Sequence, residues 1–265
     1  MTYRLHKYPR TPHLTGSRLQ PGDEDLRVVS LEHLKGSRVV VEEKLDGANS
    51  AVSFGEDGRL LLQSRGHFLD GGPRERHFGL LKAWAGSVRA GLWEALGSRY
   101  VMYGEWLYAK HTIFYDALPH YFFEFDVLDK ATGEFLSTAA RGELLRDAPV
   151  LSAPVLYTGD APGAAQLAAL VRPSAFQSAR WRESLAEVCI SRGLDAARAL
   201  RETDSAGLME GLYIKVEDGV RVNERFKFVR PGFTQAVDDS GEHWLNRPVI
   251  PNRLREGIDL FATHV

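Results

Sequence analysis

Cysteine is almost missing from this chain. Cys189 is the only one in 265 residues, so no disulfide can close within it and a disulfide-stapled scaffold is excluded. No apolar run approaches the ~18–20 residues of a membrane-spanning helix. The opening MTYRLHKYPRTPHL lacks the apolar stretch of a secretory signal. A cytoplasmic protein without membrane attachment is the expectation. Neither sign of charge dominates: 33 Lys and Arg against 35 Asp and Glu leave a net charge of −2. That balance excludes a wholly basic nucleic-acid coat but permits a local basic groove on a neutral body. Internal repeats and low-complexity tracts are also lacking. With 44% hydrophobic and 26% charged residues, the composition is globular, and the length suits one large domain or one domain with a small appendage.

Periodicity divides the chain. Residues 1–35 are polar, contain Pro9, Pro12 and Pro21, and read as a loosely structured lead-in. RVVVEEK (38–44) and NSAVSF (49–54) are β-branched runs separated by the turn signal Asp46-Gly47. Glu56-Asp57-Gly58 is a second turn before RLLLQSR (59–65), so an antiparallel meander is expected. Phe78, Leu81, Trp84, Val88, Leu92 and Leu96 recur at three and four, one face of an amphipathic helix over 76–97. YVMYGEW (100–106) and YFFEFDVLD (121–129) return to strand. Residues 138–201 are Ala- and Arg-rich with helical spacing, broken by prolines, and Cys189 falls there as a core thiol. MEGLYIKV (209–216) and VNERFKFV (222–229) flank Glu217-Asp218-Gly219, a hairpin signal. Residues 231–265 read as an irregular tail with a short helix. The fold class is α+β, antiparallel sheets with helices inserted between strands.

The sharpest local feature is Lys44-Leu45-Asp46-Gly47-Ala48-Asn49. A lysine closing one strand before a glycine turn places an amine at a loop mouth. Taken alone, four characters are a weak signal, and a solvated lysine beside a β-turn is the plainer reading. Charged residues also end or interrupt the other apolar strands: Ser64-Arg65-Gly66, Gly104-Glu105-Trp106, Phe123-Glu124-Phe125-Asp126, Glu210-Gly211 with Lys215, and Arg225-Phe226-Lys227.

In this order, KLDGAN, SRG, GEW, FEFD, EGLYIK and RFKF resemble the motif series of the covalent nucleotidyltransferases. The chain looks like the T4 RNA ligase 2-like branch of the ATP-dependent RNA ligase family, with the resemblance covering residues 38–230. It implies the ATP-grasp-like adenylation fold of those ligases. It also implies a reaction through a lysyl–AMP intermediate that seals RNA 3′-OH and 5′-phosphate ends in RNA repair. By the same resemblance Lys44 is the nucleophile, Glu105 bonds the ribose hydroxyls and Phe125 stacks on adenine. Glu43 helps read the adenine amino group, with Glu42 as the register alternative. Asn49 and Arg65 meet phosphate and the 3′-nucleotide, and Glu210 stands near metal and phosphate. A free lysine has a pKa of ~10.4. Cationic neighbours or desolvation would activate it, and Arg65, Lys215 and Lys227 are the candidates, with Arg225 in the same phosphate-binding motif. ATP and Mg²⁺ or Mn²⁺ are implied, with Glu210 the metal-side carboxylate.

Two departures stand out. The last motif usually carries two lysines, and here the first is Arg225, a planar fork in place of a point charge. Full-length relatives carry a further C-terminal domain, often an OB fold. After Arg230 only the tail remains, so one adenylation domain spanning 1–265, with a helical insert at 138–201 and no separate OB domain, is expected. For RNA, residues 59–99 carry Arg59, Arg65, Arg74, Arg76, Lys82, Arg89 and Arg99 against Asp70, Glu75 and Glu94. That stretch, with His67, His77 and Phe68, is one candidate track for a phosphate backbone or else a solvated helix face. Lys110-His111-Thr112 is a second candidate. An end-healing kinase or phosphatase is a conceivable partner. The rival readings are a DNA ligase, a GTP-dependent capping-type enzyme, and a nucleotide- or RNA-binding module without turnover.

Overall fold

Strict alternation governs the strand that ends in Lys44. In β3 (Arg38–Lys44), Val39 and Val41 point one way and Val40, Glu42 and Lys44 the other. The computed structural model, which describes residues 3–20, 22–233 and 248–262, shows how the rest of the chain uses that division. The preceding segment contributes β1 (His13–Leu14) and β2 (Val28–Val29). After β3 come β4 (Ala48–Phe54), β5 (Leu60–Ser64), α1 (Gly79–Ser87), α2 (Arg89–Leu96), β6 (Tyr100–Trp106) and β7 (Phe122–Asp129). Next are β8 (Phe135–Leu136), α3 (Thr138–Leu144), β9 (Leu151–Ser152), β10 (Val155–Asp160), α4 (Ala164–Ala169), α5 (Trp181–Ser191) and α6 (Ala196–Arg201). The hairpin β11 (Gly211–Glu217) and β12 (Arg221–Val229) completes the sheet.

The strands follow one path, β10-β3-β11-β12-β8-β7-β6-β4-β5, with β1, β2 and β9 attached at its sides. Along that path two-residue β8 joins a half made of β10, β3, β11 and β12 to a half made of β7, β6, β4 and β5, and off it β9 pairs with β7 just before β10 pairs with β3. Each half has its own core. Val39 and Val41 join Leu212, Ile214, Phe226 and Phe228 under the first. Val52, Phe54, Met102 and Val127 meet Leu81, Trp84, Leu92 and Leu96 of α1 and α2 under the second.

The expected meander is corrected here. β4 and β5 form the anticipated hairpin, but β3 does not pair with β4. It pairs with β11 and β10, while β4 pairs with β6. Asp46 explains why Asp46-Gly47 crosses between the halves instead of turning back. Its buried carboxylate accepts the amides of Thr112 and Ile113, both at 2.7 Å, and its own amide donates to the Tyr115 hydroxyl. Gly47 fits the crossing because an added Cβ would lie 2.6 Å from Leu107 Cδ2 and 2.7 Å from the Trp106 carbonyl. The described part of the lead-in is built into the sheet: β1 runs parallel to β12 and β2, and Tyr8 and Leu14 are buried. Within the stretch read as helical, Val155–Asp160 is a strand on the edge beside β3. The expected helix at 76–97 is present but breaks at Val88. Residues 231–233 and 248–262 hold no helix, and the remainder of the tail lies outside the described residues. No helix among the described residues is long and apolar enough to cross a membrane.

The halves are tied by buried charge. Arg141 of α3 is 2% exposed and binds Glu124 of β7, at 2.8 Å, and Glu42 of β3. Lys215 of β11 reaches Glu42 at 2.9 Å and Asp126 of β7 at 3.2 Å. Removing one partner of such a cluster leaves uncompensated charge away from water. Arg141→Met is expected to lower unfolding free energy by about 3–5 kcal/mol, measured by urea denaturation; a loss under 1 kcal/mol would show that Glu42 and Glu124 need no buried cation.

Candidate active site

Between the two halves lies a cavity of about 1100 Å³. Its floor follows from register. Lys44 faces Gly211, Glu42 faces Tyr213 and Val40 faces Lys215 across β3 and β11. Tyr213 faces Lys227, and Lys215 faces Arg225 across β11 and β12. Cross-strand partners share a face, so this whole set lies on the side away from the valine core. Four residues separate the Lys44 level from the Lys215 level, about 13 Å along a strand.

That distance decides which cations reach the cavity. Lys44 and Lys227 line it. Lys215 is fully buried, paired with Glu42 and Asp126, and donates to the Phe125 carbonyl. Arg225 sits beside it, 3.6 Å from Asp126 and with its guanidinium 3.8 Å from the Phe135 ring centre. A flat delocalised cation suits that stacking position better than an ammonium, which accounts for arginine where two lysines were expected. Neither Lys215 nor Arg225 is brought to the Lys44 amine. Arg65 lines the cavity from its exposed rim.

Lys44 is ringed by carboxylates. Its Nζ donates to Glu210 Oε2 at 2.7 Å. Across the cavity Glu105 Oε1 accepts the Gly47 amide at 3.1 Å. Burial alone would lower the Lys44 pKa, but Glu210, Glu105 and Asp46 outweigh it and the net shift is upward. The expectation of a lysine depressed by cationic neighbours is therefore corrected: its neighbours are acidic. The downward shift falls on Lys227, through burial and the charge of Lys44, despite its bond to Asp23. Desolvation pushes Glu210 up to about 7 and Glu105 up to about 8, with Lys44 opposing both.

Asn49 pairs in register with Glu105 and also lines the cavity. Phe125 is half-buried on its wall, whereas Phe123 is buried against Phe176. A bulge separates them: Tyr103 pairs with Asp126 and Gly104 with Glu124, so Phe125 has no partner and plain alternation fails. Glu43 is 4% exposed, with Oε1 unpartnered among the described residues and a pKa pushed by burial to about 7. Glu42 is locked by Arg141 and Lys215.

Some lining residues were not anticipated. Tyr8, Thr11, Gln20 and Asp23 enter from the lead-in, and Asp195, Arg198 and Glu202 from α6 and its flanks. Those lead-in residues carry no pattern of their own; only the pairing of β1 with β12 delivers them. His67, His77, Lys110 and His111 of the two suggested RNA tracks all border the same cavity.

A mostly antiparallel sheet in two halves, with a lysine at the crossing and carboxylates from both sides, is the nucleotidyltransferase fold. Solved structures of Naegleria gruberi RNA ligase share it. An apo mutant aligns with a TM-score of 0.50 and 19% identity over 85% of this chain and 57% of that one. A mutant with ATP and Mn gives 0.48 and 19% over 76% and 52%, and one with AMP and Mn gives 0.46 and 19% over 76% and 52%. The chain thus spans little more than half the length of these structures. No curated protein matches it. The chain belongs to the RNA ligase family, whose model matches residues 37–229.

The raised Glu105 pKa sets a pH test. The folded state holds the Glu105 proton up to about pH 8, whereas an unfolded glutamate loses it near 4.5. Between those values the folded state binds more protons, so stability falls as pH rises through the window. Glu105→Gln, which keeps an acceptor for Gly47, should remove that slope. Without nucleotide, its Tm should exceed the wild-type value at pH 8.5 and converge with it near pH 4.5; parallel Tm curves would refute the shift.

Proposed function

We propose that this chain is an ATP-using RNA ligase that joins RNA 3′-OH and 5′-phosphate ends through an AMP covalently held on Lys44, in RNA repair. The observation that carries the reading is the meeting of Lys44, Glu210, Glu105 and Lys227 in one cavity walled by Phe125, in a chain of the RNA ligase family. We further propose that residues 1–265 act as one adenylation domain.

Lys44 Nζ attacks the α-phosphorus of ATP. An N–P bond forms, the bond to the β-phosphate oxygen breaks, and pyrophosphate leaves. The ammonium must first lose a proton, and Glu210 is the group placed to take it, at 2.7 Å with a pKa near 7. Lys227 offsets charge on the phosphates. Glu105 offers its carboxylate to the ribose hydroxyls, and Phe125 its ring face to the base. Glu43 presents an unpartnered acceptor of the kind that an adenine amino group satisfies. Asn49 and Arg65 meet phosphate and the 3′-nucleotide at the rim. An RNA 5′-phosphate oxygen then attacks the AMP phosphorus and breaks the N–P bond. A 3′-oxygen finally attacks the RNA 5′-phosphorus and releases AMP. Such an enzyme requires ends that already carry 5′-phosphate and 3′-hydroxyl, which an end-healing partner would supply.

Among the described residues no group of three or more His, Cys, Asp or Glu forms a metal cage. The buried carboxylate of Glu210, with Glu105 nearby, fits instead the Mg²⁺ or Mn²⁺ pattern of one or two carboxylates completed by phosphate and water. A bound ion there would supply charge for the phosphate oxygens.

With α-labelled ATP and Mg²⁺ or Mn²⁺, the wild-type chain, freed of any AMP acquired during expression, is expected to carry label through denaturing electrophoresis. Lys44→Ala should lose it entirely. Label retained on Lys44→Ala would refute the assignment, and label from GTP but not ATP would move it to the capping-type reading.

A further inference from the structure

Tyr8, Thr11, Gln20 and Asp23 lie outside the stretch matched by the family model, yet they build one corner of the cavity. Backbone pairing fixes where. The Lys227 amide donates to the Pro12 carbonyl at 2.9 Å, and the Arg18 amide to the Val229 carbonyl at 2.9 Å. The Val229 amide in turn donates to the Ser17 hydroxyl at 2.8 Å. Lys227 and Val229 are two apart on β12 and share its cavity face. The chain then folds back, with the Asp23 amide on the Gln20 carbonyl at 3.0 Å. Gln20 and Asp23 therefore both return to the edge that holds Lys227.

Most polar groups in this corner are satisfied. The Asp23 carboxylate accepts the Lys227 ammonium and lies 3.0 Å from His13 Nε2. The other His13 ring nitrogen is 2.6 Å from the Ser17 hydroxyl. Gln20 is the exception. It lines the cavity and is only 7% exposed, and its enclosed Nε2 has no hydrogen-bond partner among the described residues. A buried amide donor without an acceptor is unfavourable, and native structures rarely keep one without a use. Gln20 borders the cavity that also holds the ammonium groups of Lys44 and Lys227. The acceptor that matches an N–H beside two cations is an anionic oxygen.

We propose that Gln20 is a phosphate ligand, donating from Nε2 to a phosphate oxygen that Lys227 attracts by charge, with Asp23 as the positioning residue that fixes the Lys227 ammonium. This rests on the reading that the cavity takes ATP and an RNA end. Two phosphates would share the chemistry: the polyphosphate tail of the nucleotide and the 5′-phosphate of the RNA. The nucleotide is served first, since the corner adjoins Lys44 and Lys227 on the cavity floor.

The test is calorimetric titration of Gln20→Met, which keeps the side-chain length and removes the donor. The titrants are inorganic pyrophosphate, AMP, an oligoribonucleotide with and without 5′-phosphate, and ATP on the Lys44→Ala background to prevent transfer. Gln20→Met should weaken ATP and pyrophosphate by roughly tenfold, the scale of one hydrogen bond to a charged acceptor, and AMP by less than twofold. A loss confined to the 5′-phosphorylated oligonucleotide would support the same donor on the RNA phosphate. Gln20→Glu, similar in shape but unable to donate when ionised, should weaken binding further, and it serves if the Met variant does not fold. Unchanged affinity for every phosphate in a variant that melts like wild type overturns the proposal, as does a wild-type chain that binds none of them. A wild-type chain that binds pyrophosphate through Gln20 but never labels Lys44 would sink the ligase reading and leave this one standing.

Discussion

Three carboxylates and three cations withdrawn from water join the two halves of the sheet. Glu42 comes from one half, Glu124 and Asp126 from the other, and Arg141, Lys215 and Arg225 close the gaps between them. Backbone pairing between the halves runs through two-residue β8 and through the segment that lays two-residue β9 on β7 and β10 on β3, a ladder too narrow to fix their angle alone. The ion cluster supplies what the ladder lacks. Buried pairs add little net stability over a well-packed apolar core, because desolvation offsets most of the attraction. Their contribution is geometric: each charge tolerates few positions, so the halves can close in few ways. The Lys44–Gly47 crossing and the width of the cavity above it follow from that closure.

The same cluster determines the electrostatics of the site. Lys215 and Arg225 are consumed inside, so they do not raise the positive potential at Lys44. Lys44 and Lys227 each hold a carboxylate, Glu210 and Asp23. In this arrangement the amine is protonated and restrained, and two nearby glutamates sit near neutrality in pKa. Reactivity then depends on exchange of partners. On the proposed reading, an incoming phosphate would attract the two ammonium groups, and Glu210, released from its pair, would be basic enough to take a proton.

Local signals carried much of this. The β4–β5 and β11–β12 hairpins, the helical face through Leu81 and Trp84, and the strand-end placement of Lys44, Glu105 and Glu210 follow from period and turn chemistry. Other features depend on pairing between distant segments, which periodicity does not encode. Nothing in RVVVEEK says that its neighbour is β11, 170 residues on, rather than β4. β10 hides because it is a half-exposed edge strand between Pro154 and Pro162. Phe125 escapes alternation through a bulge, and Lys215 reads as a cationic neighbour of Lys44 until the register sets it about 13 Å below. The polar lead-in looked unstructured because its order comes from β12 and not from a core of its own.

The size of the cavity bears on how one site could serve several steps. At about 1100 Å³ it exceeds the ~300–1,000 Å³ of sites that enclose one small molecule. Its walls are unequal. The floor is built from strands, and the lead-in corner is tied to β12 by part-buried bonds. The mouth carries Arg65, His67 and Arg198 on loops and on α6. Precision belongs where a phosphorus atom must meet an amine within bonding distance, and tolerance where a strand of variable sequence enters. On the proposed reading, a buried deep end and a charged, solvent-facing rim would divide those tasks within one cavity.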